Sequence, residues 1–306
     1  MDIGTIILTI LGLCLFEIVS SIDNAVVNAD VLATMQPKWR NWFLVWGIIF
    51  GVFAVRGLLP WLIVWLSNTA LGPIQALTIT FSNDRLAVES FEQTAPYLLL
   101  AGGIFLMFLF FYWLFLEKKH CTLFFESYCV QQGIWFFSIT SIILTILIWQ
   151  TLKIDPNLSL AAAIGSSAFF IIYGFREQAE KAEKYIAGQK GISDISKLLY
   201  LEVLDATFSL DGVIGAFAFT LSIPIILIGN GIGAIVVREL TIKGVNHIKD
   251  YIYLKNGAMY SIFCLGIIMI MEGLGTEVPV YVSPIITFII VGYFLMKSRQ
   301  VKKLNN

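Results

Sequence analysis

The sequence predicts an all-α, polytopic membrane protein of about nine transmembrane helices with an inverted 3+3 repeat. Three observations predict it. Apolar residues fill 58% of the 306 positions and charged residues only 13%, where a soluble domain carries about 25% charge. Apolar runs of membrane-crossing length recur along the whole chain, and a motif in the first run returns in the sixth.

A helix needs about 20 apolar residues to cross about 30 Å of hydrocarbon. Nine segments qualify, near 3–33, 42–66, 96–116, 133–151, 158–175, 198–221, 223–240, 254–272 and 281–297. The first is read as a retained span, because it lacks the positively charged start of a signal peptide and Glu17 interrupts it. Residues 70–82 are too short to cross and read as a re-entrant or surface piece. The stretch 67–95, with Asp84, Glu89 and Glu92, reads as a solvated external loop, and 176–197 as a cytoplasmic surface helix or linker.

Orientation follows from the basic residues. With the N-terminus outside, the inner segments hold Lys38 and Arg40, then Lys118 and Lys119, then five basic residues between Arg176 and Lys197. Four more lie between Arg238 and Lys255, and four in the tail from Lys297 to Lys303. The outer loops hold only Arg85 and Lys153. This predicts N-outside and C-inside.

A net charge of −1 excludes a nucleic-acid footprint, which needs a basic surface. Cys14, Cys121, Cys129 and Cys264 form no CxxC, and no His accompanies them, so neither a disulfide framework nor a zinc site is expected. No HExxH, His cluster or Ser/Lys pair suggests an enzyme.

The internal repeat decides the architecture. Residues 17–24 read EIVSSIDN and residues 205–212 read DATFSLDG, which pairs Glu17 with Asp205, Ser21 with Ser209 and Asp23 with Asp211. Gly51-VFAV-Arg56 matches Gly233-AIVV-Arg238 on the next span. The third spans open alike, with Tyr97-Leu98 leading to Ala101-Gly102 and Tyr253-Leu254 leading to Gly257-Ala258. Equivalent helices are five spans apart, an odd number, so the two units sit upside down relative to each other. Transporters built this way hold their site near the midplane, between the repeats. The chain divides into a first repeat (3–116), two linking spans with a cytoplasmic loop (117–197), a second repeat (198–272) and a final span (281–297).

Carboxylates within spans cost about 2.5–3.5 kcal/mol each at the helix centre. Span one holds Glu17 and Asp23, and span six holds Glu202, Asp205 and Asp211. Such charge calls for a cation, a proton or a basic residue. At 3.6 residues per turn, Glu17, Ser20, Ser21, Asn24 and Asn28 form one polar stripe, while Asp23 lies about 120° away. Broken helices would let both acids reach one ion, and Gly212 and Gly215 would ease a break in span six. Oxygen-rich, sulfur-free ligands suit Mn²⁺, Ca²⁺ or Mg²⁺. His120 and His247 lie at span ends and are poor ligand candidates. Against the metal reading stands a structural network in which Arg56 and Arg238 neutralise the acids. Their alternative roles are gating or charge balance, and Arg238 is close enough to a span end to snorkel. Glu272 and Glu277 flank the last external loop and read as solvated.

FEIVSSIDNAVVNA at 16–29, WGIIFGVFAVRG at 46–57, LEVLDATFSLDGVIGAFA at 201–218 and YLKNGA at 253–258 resemble the TerC family of bacterial integral membrane proteins, within the LysE-like transporters. The resemblance implies a multi-pass protein of the bacterial inner membrane, linked to manganese export, delivery of metal to exported proteins, or tellurium resistance. It implies Glu17, Asp23, Asn24, Glu202, Asp205 and Asp211 as metal-site residues. Ser21, Ser209, Arg56 and Arg238 stand beside them as gating or charge-balancing groups. Two functions remain in competition: a secondary transporter exporting a divalent cation, with protons as its candidate counter-substrate, and a non-transporting scaffold for metal delivery or metal stress. Neither needs a cofactor, and the partners are lipid and the cation.

Overall fold

The computed structural model describes residues 2–21, 25, 31–32, 34–47, 58, 61–62, 65, 72–74, 85–117, 119–188, 193–243 and 251–305. Within them, the side chains of 44–45, 85–92, 176–188, 200, 203–210, 242–243 and 303–305 are not described. Every regular element among these residues is helical. In order they are α1 (Ile3–Ser20), α2 (Pro37–Trp42) running into a π-helical turn (Phe43–Gly47), α3 (Arg85–Leu116), α4 (Phe124–Gln131) and α5 (Trp135–Thr151). Then come α6 (Pro156–Gly188), α7 (Asp194–Ala216), α8 (Ile223–Lys243), α9 (Leu254–Gly273) and α10 (Val282–Asn305).

Six of these helices are long and apolar enough to cross a membrane, or seven when α4 and α5, bent by 99°, count as one broken span. The nine spans expected are therefore not reached among the described residues. Most of 42–66 falls outside them. α7 has the length, at 23 residues, but Glu202, Asp205 and Asp211 keep it from being apolar enough. Two boundaries also move. Helix α3 begins at Arg85, so the expected external loop is helical over its last eleven residues and passes through Pro96. Helix α6 runs unbroken from its apolar part to Gly188, through most of the segment read as a separate surface helix.

The side chains show which solvent each face meets. On α1, Ile3, Ile7 and Leu11 are exposed, whereas Thr9, Leu13, Phe16 and Glu17 are buried. Exposed isoleucines and phenylalanines on α5, α6 and α10 continue an apolar outer surface that suits lipid. Asp2 caps α1 by accepting from Thr5 N.

Helices α3 and α9 are packed antiparallel. Gly103 faces Ile270 and the Gly266 carbonyl, Gly273 faces Leu100, and the Phe110 and Phe263 rings meet at 4.4 Å. Helix α6 covers the other flank of α3, where a Cβ on Gly165 would collide with the Ala101 carbonyl. Small residues at such crossings let backbones approach, which is the source of packing energy where lipid offers no hydrophobic contrast. Aromatic edges of Phe105, Phe108, Phe136 and Phe169 fill the space between α3, α5 and α6.

Helix α1 lies against α7, α8, α9 and α10. It runs parallel to α8, with Leu13 on Gly229 and Glu17 on Gly233. Against α7 it runs antiparallel, with Phe16 on Gly215 and Glu17 on Gly212. Gly47, at the end of the π-helical turn, presses on the Glu202 and Arg238 side chains of α7 and α8.

Candidate functional site

Glu17 sits where α1, α7 and α8 meet. It is fully buried. Its Cβ would lie 2.6 Å from a Cβ on Gly233, and its Oε2 2.9 Å from one on Gly212, so both glycines are required for the acid to fit. The Ser21 hydroxyl, one turn on, donates to Glu17 Oε1 at 2.8 Å. Of the stripe predicted on span one, these two residues are therefore joined directly. Asp211, next to Gly212, is buried as well.

The glycines of α7 do not break the helix. It is continuous through Gly212 and Gly215 to Ala216, which corrects the expected break in span six. Those positions instead receive Glu17 and Phe16 from α1. Helix α1 ends at Ser20, just before the SIDN segment.

Glu202 stands apart from Glu17. Its Oε1 lies 3.7 Å from Arg238 Nη1, and both side chains are buried. The same guanidinium nitrogen donates to the Phe43 carbonyl at 2.7 Å, and its Cζ lies 4.3 Å from the Phe43 ring centroid. The π-helical turn is what presents that carbonyl. Arg238 thus does not snorkel; it joins α8, α7 and the turn after α2.

Asp23, Asn24 and Arg56 lie outside the described residues, as does His247. Asp205 and Ser209 have a described helical backbone but not described side chains. Among the described residues, no three His, Cys, Asp or Glu side chains converge closely enough to hold a metal ion. His120 is exposed.

A cavity of about 510 Å³ opens at the Ile3 end of the bundle, lined by Phe217, Phe219, Glu272, Glu277 and Ser283 among others. Glu277 is exposed, but Glu272 is half-buried in the cavity wall and not solvated as expected. Phe219, in the cavity wall, meets the ring of Phe16, the chain neighbour of Glu17, at a tilt of 44° with centroids 5.6 Å apart.

A second polar cluster was missed at sequence level. Glu126, on the short α4, is fully buried. It accepts from Thr122 N at 2.6 Å, Tyr260 Oη at 2.7 Å and Asn256 Nδ2 at 3.2 Å. Lys119 donates to the Trp113 and Leu114 carbonyls at the end of α3, where helix carbonyls have no partner of their own. Burial draws its ammonium down to about 8, and nearby Glu126 opposes the shift. Lys255 pairs with Glu117 beside it. The available signal was Asn256 and Tyr260, four apart and so on one face of the third span of the second repeat. Three donors satisfy Glu126, which marks it as a fastener of α4 to α9.

The fold and site define an all-helical protein of the membrane that buries charge between its helices. The chain belongs to the family described as protein of unknown function (DUF475), which it matches over residues 22–304. No curated protein and no solved structure matches it.

Proposed function

We infer that this protein is a secondary transporter exporting a divalent cation, with Mn²⁺ as the leading substrate, through a carboxylate site between two inverted repeats. The observation that carries the reading is Glu17: a fully buried carboxylate, held by one serine and seated on glycines of two helices from the other repeat. Its carboxylate is set against the Ser21 hydroxyl and the backbone of two glycines, an oxygen-rich setting that suits a hard cation.

The inverted repeat gains support from register. The antiparallel contacts of Phe16 with Gly215 and Glu17 with Gly212, continued one turn further along, would bring Ser21 to the level of Ser209. These are the two serines that the duplication pairs. A site at that crossing would draw Glu17 and Asp23 from one repeat and Asp205 and Asp211 from the other, with Asn24 beside them. Glu202 is better read as the counter-ion of Arg238 than as a ligand. The resemblance to the TerC family points to the same chemistry, and the basic-residue pattern favours an Ile3 end that faces outside, with the cavity opening there. The cation is cargo, protons are the candidate counter-substrate, and no cofactor is required.

Flux into sealed proteoliposomes tests this. Wild-type protein should give saturable Mn²⁺ uptake, and Asp211→Asn should reduce it to the protein-free level while still inserting, since losing a charge eases insertion. Uptake by neither protein, with Mn²⁺ bound at equilibrium, would support the metal-delivery scaffold instead.

A further inference from the structure

Asn230 is fully buried on α8, and neither its Oδ1 nor its Nδ2 has a hydrogen-bond partner among the described residues. Buried carboxamides are almost always satisfied, and an orphan in a native structure requires an explanation. We propose that Asn230 is a neutral oxygen ligand for a hard divalent cation shared with Glu17, a deepening that rests on the transporter reading above.

Its position on the helix is the argument. Ile228, Ile232 and Ile235 are the exposed residues of α8 at this level and mark the lipid face. At about 100° per residue, Asn230 falls opposite the middle of that arc, at the centre of the inward face. Gly229 and Gly233 form one edge of this face, against α1, and Arg238 forms the other, against α7 and Phe43. The carboxamide therefore enters the wedge between α1 and α7, where Glu17 also lies.

The level agrees. Glu17 Cβ and Cγ rest on Gly233, and α1 runs parallel to α8. Helical side chains lean toward the N-terminus of their helix. From Gly233 the Glu17 carboxylate thus leans back toward the level of Gly229, and Asn230 is the next residue after Gly229. The chemistry agrees as well. A carboxamide oxygen, a carboxylate and a hydroxyl such as Ser21 form the hard oxygen set taken by Mn²⁺, Mg²⁺ or Ca²⁺. An amide adds a donor to such a site without adding to the buried charge.

The test is thermal melting of the full chain in detergent, titrated with MnCl₂, for wild type, Asn230→Leu, Asn230→Ala and Asn230→Asp. Without metal, Asn230→Leu should melt at or above wild type, because an amide that makes no bond contributes none to the fold. The Mn²⁺ concentration for half-maximal stabilisation should rise about tenfold or more in both apolar variants. Asn230→Asp should bring it back to the wild-type value or below. Should both apolar variants titrate like wild type, or both melt well below it without metal, the amide is structural and the assignment is overturned alone. A wild type that Mn²⁺, Ca²⁺ and Mg²⁺ all fail to stabilise would overturn it together with the transporter reading.

Discussion

Arg238→Met should leave little folded protein, and Glu202→Gln in the same chain should restore most of it. Both side chains are buried, and the guanidinium bridges Glu202 to the Phe43 carbonyl. Removing one member of a buried pair strands the other charge, at about 3–5 kcal/mol. Few proteins have much more stability than that to lose. Neutralising Glu202 removes the stranded charge, and the methionine fills the space left beside Phe43. Melting in detergent of the two single variants and the double variant reads the coupling. Independent, additive effects would show that Arg238 does not balance Glu202. An Arg238→Met protein that melts normally but loses flux would make this arginine a gate.

Glu17→Gln should behave in the opposite way, folding well and transporting nothing. Glutamine keeps the volume between Gly212 and Gly233 and keeps an oxygen for the Ser21 hydroxyl. What it loses is the negative charge, whose presence in a span costs about 2.5–3.5 kcal/mol on the lenient insertion scale. Membrane yield and melting temperature should therefore hold or rise, while Mn²⁺ flux falls to the protein-free level. Normal flux in Glu17→Gln would remove this acid from the path. A collapse of melting temperature would mark its charge as structural. The contrast with Arg238 would separate two kinds of buried charge in one protein: an acid that holds helices together, as Glu202 does with Arg238, and an acid that serves the transported ion.

The sequence made the class and the principal acids legible because both rest on strong physical contrasts. A carboxylate in an apolar run is conspicuous against lipid, and its return in a second run of like sequence is more so. Glu17, Ser21 and Asp211 were singled out that way, and Glu17 with Ser21 does form a hydrogen-bonded unit. The glycines of α7 were misread because glycine serves two ends. It permits a break, but it also permits a neighbour's side chain to press on the backbone, and only packing tells which. The same limit hid the partner of Arg238, since Phe43 contributes a carbonyl and not a side chain. Glu126 and Asn230 escaped notice because neither belongs to the repeated motif, and each gains its meaning from helices far away in the chain.

Equilibrium binding of Mn²⁺ to the purified wild-type protein, read from the loss of the free-ion paramagnetic resonance signal, tests the central claim most directly. Saturable binding that Asp23→Asn/Asp211→Asn abolishes is the result predicted when carboxylates of both repeats bind a mobile cation. A wild type that leaves Mn²⁺ free, and on which Ca²⁺ and Mg²⁺ likewise fail to bind, would contradict it.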